Sequence, residues 1–183
     1  MQSMQYLRDP FLWAFISLFA LLASTQIVAG HFLGRRRPYG MAVVFLFALG
    51  RVVLVLPSIP QPRFEFGAWH WIIGGLLLLT GIVFAVPVFG IRPFTSPADD
   101  VRLRTAGLYG IVRNPLYLSE ISWCLGWSLV WQSVIGVCLV PFWWLGLLFL
   151  SLLEEQGLER HWGAEYLEYK RQVRSRILPG LPL

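Results

Sequence analysis

The chain has 183 residues, of which 56% are apolar and only 14% charged, against about 25% charged in a typical soluble domain. That balance excludes disordered, collagen-like and coiled-coil proteins and points to a single integral membrane domain spanning residues 1–183. The net charge of +5 comes from 14 Arg, one Lys and 10 acids. The basic residues flank apolar runs, which indicates an anionic membrane surface and not nucleic acid as the partner. Cys124 and Cys138 both lie within apolar runs, and His31, His70 and His161 have no ligand spacing, so neither a disulfide framework nor a metal site is expected.

In chain order, the first apolar run, residues 11–30, is too long for a signal peptide and long enough to cross a bilayer, which takes about 20 residues. The second run covers 41–57, and the third covers 69–90 with a bend expected at Pro87. Residues 116–153 form an apolar stretch of twice the needed length. Its polar break, Trp131-Gln132-Ser133, divides it into a helical hairpin of 116–131 and 134–153. The expected fold class is therefore all-α: a polytopic bundle of five transmembrane helices. Two polar segments remain, a loop at 91–113 and a tail at 154–183. In the tail, Leu158, Trp162, Tyr166, Tyr169 and Val173 recur on one face of a cytosolic amphipathic helix, expected either to lie on the membrane surface or to cap the bundle.

Charge supports the count. Arg35, Arg36, Arg37, Arg92, Arg102, Arg104, Arg113, Arg160, Lys170, Arg171, Arg174 and Arg176 fall on one side of a five-helix topology, and only Arg8 and Arg63 on the other. The positive-inside rule then puts the N-terminus outside and the C-terminus in the cytosol. The excess of Arg over Lys suits a GC-rich bacterial genome, and hence an inner membrane. Arg51 falls within a span and is expected to snorkel to the outer surface.

Membrane-embedded polar groups are candidates for function. The hairpin brings Arg113-Asn114-Pro115-Leu116-Tyr117, at the start of the fourth helix, to Glu154-Glu155, read as the end of the fifth. Glu120 lies five residues past Pro115, about 7.5 Å deeper. Asn114-Pro115 also reads as a plain helix start, with Asn as N-cap and Pro at the first position. Two adjacent acids at a helix C-terminus oppose the helix dipole, which suggests a cationic partner. Gly107 and Gly110 permit a tight backbone turn just before this segment. Such a site, half in lipid and half in cytosol, can take a soluble cofactor from below and an apolar substrate from the side.

The run Thr105–Tyr117 fits the pattern G-x-Y-x-x-x-R-H-P-x-Y, and Glu154–Tyr169 fits E-E-x-x-L-x-x-x-[FW]-G-x-E-Y-x-x-Y. Together they resemble the isoprenylcysteine carboxyl methyltransferase and phospholipid methyltransferase superfamily over about residues 100–180. The resemblance implies a membrane enzyme that moves a methyl group from S-adenosylmethionine to a lipophilic or lipid acceptor. It implies cofactor contacts at Tyr109, Asn114, Pro115, Leu116, Tyr117 and Glu154, with Leu103 and Arg104 matching by spacing alone. Arg113, Asn114 and Glu120 are the candidate catalytic positions. Two departures stand out: Asn114 occupies the family's usual His position, and Leu150 occupies the place of an Arg that isoprenylcysteine enzymes use on a substrate carboxylate. The alternatives are an NADPH-dependent sterol or lipid reductase, whose R-N-P-x-Y-x-x-E-like segment Arg113–Glu120 also resembles, and a non-catalytic membrane protein that kept the fold.

Overall fold

Each apolar run folds as a helix, because a backbone withdrawn from water must satisfy its polar groups within the segment. The computed structural model describes residues 6–32, 40–89 and 103–181. Six α-helices are seen among them: α1 (Pro10–Phe32), α2 (Gly40–Leu54), α3 (Trp69–Phe89), α4 (Pro115–Val130), α5 (Val134–Trp162) and α6 (Ala164–Gln172). A short 3-10 turn, Gly107–Gly110, precedes α4. Among the described residues there is no strand, only an isolated β-bridge between Arg63 and Ser133. Arg35, Arg36 and Arg37, with Arg92 and Arg102 and most of the loop at 91–113, lie outside the described residues. Three helices, α1, α3 and α5, are long and apolar enough to cross a membrane, and α2 contributes a shorter apolar segment, Ala42–Leu54.

The boundaries depart from expectation at three places. Helix α2 stops at Leu54 instead of 57. Pro57 disfavours helix in the residue before it, and side chains take over the orphaned carbonyls: Gln61 donates to Leu54 O, and Arg63 donates to Val55 O and Leu56 O. Helix α3 keeps its expected extent, Trp69–Phe89, within a residue. Helix α5 runs to Trp162, not to 153, so Glu154 and Glu155 sit inside a helix and the helix-dipole argument for them does not hold. The single tail helix is likewise two helices, broken at Gly163, whose φ of +54° favours a residue without Cβ.

The packing sequence is α3–α4–α5–α1–α2. At the α3–α4 seam the backbones approach closely. A Cβ on Gly126 would lie 2.8 Å from Gly74 O, one on Gly74 would lie 2.9 Å from Gly126 O, and Ser119 Oγ donates to Gly81 O at 2.7 Å. Small residues at such a seam let dispersion and hydrogen bonds join helices that lipid does not drive together. The main core gathers Ala14, Ala20, Leu21, Phe47, Leu54, Cys124, Trp143, Leu147 and Leu150 from α1, α2, α4 and α5. The hairpin turn forms where expected. Gln132 takes a φ of +55°, and Ser133 caps α5 by accepting from Gly136 N at 2.9 Å. Arg63 locks the turn by donating to Trp131 O.

Candidate active site

The end of the hairpin away from its turn brings four segments together: residues 103–114, the first turns of α4, the α5 stretch around Glu154 and Glu155, and the tail from α6 to Ile177. Adjacent helix positions point about 100° apart, so the two acids of α5 meet different neighbours.

Glu155 is the hub. Its side chain is 3% exposed, and its Oε1 accepts from Arg113 Nε at 2.8 Å and Arg176 Nε at 3.0 Å, while Oε2 accepts from Arg176 NH2 at 3.0 Å. Asn114 Nδ2 approaches Oε1 at 3.5 Å, and Lys170 Nζ approaches Oε2 at 3.7 Å. A carboxylate has about four acceptor positions, and these partners fill them. Glu154 differs: it is half-buried and takes a hydrogen bond from the Tyr117 hydroxyl. Its carboxylate retains acceptor capacity for a ligand. Of the adjacent acids, Glu155 is held by cations, whereas among the described residues none pairs with Glu154, whose carboxyl is pushed up to about 7 by burial.

Asn114 stands at the N-cap of α4 with Pro115 at the first helical position, but its side chain makes no capping hydrogen bond. The expected cap is absent because the amide turns toward Glu155; the residue's own backbone N–H donates to Arg176 O at 2.8 Å. Arg113 is buried and donates to Glu155 and to the carbonyls of Val173 and Arg174, at 2.7 and 2.8 Å. Tyr109, in the 3-10 turn, is half-buried, and its carbonyl accepts from Tyr169 Oη at 2.7 Å. Leu103 and Tyr109 pack on the cluster of Tyr166, Tyr169, Val173, Leu158 and Trp162. The expected apolar stripe is therefore kept across the break at Gly163, but it faces residues 103–110 and not a lipid surface. Burial pushes the Tyr166 and Tyr169 phenols well above their ordinary range, so both stay neutral donors. Arg104 and Leu116 are half-buried beside this frame. Leu150 lies in the main core, on which Tyr117 also packs.

Glu120 belongs to a second polar group. Arg51 does not snorkel to the outer surface. It is 3% exposed, with NH2 at 2.7 Å from Glu120 Oε2, NH1 at 2.8 Å from Cys124 Sγ, and Nε donating to Phe47 O at 3.1 Å. Its guanidinium lies 3.6 Å from the Phe47 ring centroid and 4.8 Å from that of Trp123. A carboxylate and two π faces within reach replace the water that snorkelling would have sought. Trp123 Nε1 also donates to Glu120 Oε2, at 3.3 Å. Tyr117 neighbours an acid of each group, Glu154 and Glu120.

Arg113, Asn114, Tyr117 and Glu154 are thus brought together, with Tyr109 joined through the tail. Glu120 is tied to α2 instead. Sequence reasoning missed Glu155 as the hub, with Arg176 and Lys170 around it, and missed the Arg51–Glu120 pair. The only signal was an acid doubled beside Glu154 and a tail rich in arginine. Among the described residues no group of three His, Cys, Asp or Glu side chains can hold a metal ion.

A family model described as phospholipid methyltransferase matches residues 67–165, more than half of the chain. The match reaches further toward the N-terminus than the resemblance at 100–180 and takes in all of α3, α4 and α5 up to Trp162. No solved structure matches the chain.

Proposed function

The chain belongs to the phospholipid methyltransferase family, and from that premise we propose that it is an integral membrane enzyme that transfers a methyl group from S-adenosylmethionine to a lipophilic or lipid acceptor at the cytosolic boundary. The observation that carries this reading is the unequal division of the two acids on α5. Glu155 is consumed by arginines, while Glu154 beside it has Tyr117 as a neighbour and, among the described residues, no cation as a partner. A carboxylate of that kind suits an ammonium or a ribose hydroxyl, and the aromatic faces of Tyr109 and Tyr117 suit adenine or a sulfonium.

The five-crossing topology is part of the same proposal. Counted from Val134, 20 residues at 1.5 Å each span the roughly 30 Å hydrocarbon core and end at Leu153. Glu154 then sits at the inner boundary, and the last turns of α5 stand in the cytosol. Helix α4 has 16 residues, about 24 Å, and is screened from lipid by α3 and α5 on either side. The basic residues of 103–113 and of the tail lie at this inner end.

When bound, S-adenosylmethionine supplies an electrophilic methyl group on a sulfonium cation. The chain's task is then to bind and orient. Glu154 and Tyr117 fix the polar part of the cofactor, Tyr109 covers it, and Asn114 orients without exchanging a proton at neutral pH. Arg113 holds the frame through Glu155 and the tail carbonyls. Glu120, at 24% side-chain exposure, is the acceptor-side group, steadied by Arg51. An apolar Leu150 in the core leaves an acceptor carboxylate without the arginine of isoprenylcysteine enzymes, so an amine, thiol or neutral lipid is the expected acceptor.

Isothermal titration of the detergent-purified protein with S-adenosylhomocysteine and with NADPH tests the reading. Binding of the first alone is expected, and Glu154→Gln should weaken it about tenfold to a hundredfold, since a charge-assisted hydrogen bond is worth roughly 1.5–3 kcal/mol. Binding of NADPH alone would make the chain a reductase, and binding of neither a protein that kept the fold without the chemistry.

A further inference from the structure

The loop that carries Tyr109 and Asn114 has little structure of its own between residues 103 and 114, apart from the 3-10 turn. What holds it is a strap of chain after α6, beyond the residues matched by the family model. Arg113 N donates to Ser175 O at 2.9 Å and Asn114 N to Arg176 O at 2.8 Å. The Arg113 side chain returns to Val173 O and Arg174 O, and both Arg176 Nε and NH2 reach Glu155 at 3.0 Å. Ile177 anchors the end of the strap, fully buried against Val112 and Leu118. The preceding helix adds the bond from Tyr169 Oη to Tyr109 O.

The proposed cofactor contacts sit on three separate segments: Tyr109 on the turn, Asn114 and Tyr117 at the start of α4, and Glu154 on α5. The strap touches the second and third directly, and the helix before it reaches the first through Tyr169. Through Arg176 the strap joins the backbone of Asn114 to Glu155, the residue next to Glu154. The main core, by contrast, draws nothing from residues beyond Leu150. Loss of the strap therefore changes the spacing of the site and the small core of Val112, Leu118 and Ile177, on which Phe84, Trp144 and Leu148 pack, and leaves the main core untouched.

We propose that residues 173–177 are a working part of the cofactor site, with Arg176 as a positioning residue that sets the distance between the Tyr109–Asn114 loop and Glu154. The inference rests on the methyltransferase reading given above. Hydrogen bonds weaken steeply with misalignment, so small movements of the strap are legible in affinity.

The test is titration of S-adenosylhomocysteine into the full-length protein and its Arg176→Gln, Arg176→Lys and Ile177→Ala variants, each with a melting curve in detergent. Arg63→Ala, at the opposite end of the bundle, serves as the destabilised control. Arg176→Gln and Ile177→Ala are expected to weaken binding by about tenfold or more, the scale of one lost charge-assisted contact to the cofactor, although the second removes no charge. Arg176→Lys, which keeps the charge without the two-pronged contact, should fall between. Arg63→Ala should lower the melting temperature at least as far while leaving affinity within about twofold. If Arg176→Gln fails to fold, Arg176→Lys and Ile177→Ala decide. Affinity unchanged in the strap variants, or lowered equally by Arg63→Ala, overturns the strap and leaves the methyltransferase reading standing. Failure of the unmodified protein to bind overturns both.

Discussion

Glu155→Gln removes one negative charge and almost no volume, which makes it the sharpest probe of the hub. In the structure two guanidiniums close on that carboxylate, Arg113 at 2.8 Å and Arg176 at 3.0 Å, with side-chain exposures of 4% and 12% against 3% for Glu155 itself. Neither arginine is well placed to recover hydration, so the variant leaves two cations facing a neutral amide. Breaking a buried pair from one side costs about 3–5 kcal/mol, most of it the penalty on the charge left behind. For a chain of this size each kcal/mol moves the melting temperature by about 2–4 °C. The expected drop is therefore about 6–20 °C, read by tryptophan fluorescence during thermal unfolding in detergent. Glu154→Gln, one residue away with a neutral tyrosine as partner, should cost less than about 1.5 kcal/mol, the scale of one uncharged hydrogen bond. If Glu155→Gln melts within about 2 °C of the unmodified protein, the hub is worth no more than an exposed ion pair, and the reasoning from burial fails.

Three further outcomes follow from other parts of the bundle. Arg51→Met and Glu120→Gln should each destabilise by about 3 kcal/mol, and the double variant by less than their sum, with a coupling of about 2 kcal/mol in a detergent unfolding cycle; simple additivity would mean that the pair does not form. Gly126→Ala drives a methyl group against the Gly74 carbonyl and should cost about 1–3 kcal/mol, whereas Gly75→Ala, with nothing within 4 Å of its Cβ, should be neutral or slightly stabilising; equal effects on the melting temperature would show that the α3–α4 seam is looser than described. Reporter fusions at Gly67 and at the C-terminus should report opposite faces of the membrane, Gly67 outside, and the same face for both would reject five crossings.

The sequence alone determined where the helices are. A run of about 20 apolar residues has one economical solution in a bilayer, and a run of twice that length with a polar break has one more, so α1, α3, α4 and α5 begin within a residue of where hydropathy places them. The paired motifs around Tyr109–Tyr117 and Glu154–Tyr169 were also legible, because they are local in the chain and flank the hairpin. Partnership was not legible. Arg51 lies 69 residues from Glu120, and whether it meets that carboxylate or snorkels to water depends on how α2 and α4 are rotated against each other, which hydropathy does not encode. Glu154 and Glu155 are chemically identical in sequence; only the end of α5, nine residues beyond the apolar run, and the direction each side chain takes separate the fold's hub from the acid beside Tyr117. The break at Gly163 and the return of residues 173–177 onto Arg113 were likewise decided in three dimensions. A long-range contact is chosen by the geometry of everything packed around it, and no local pattern in the tail announces which acid its arginines will reach.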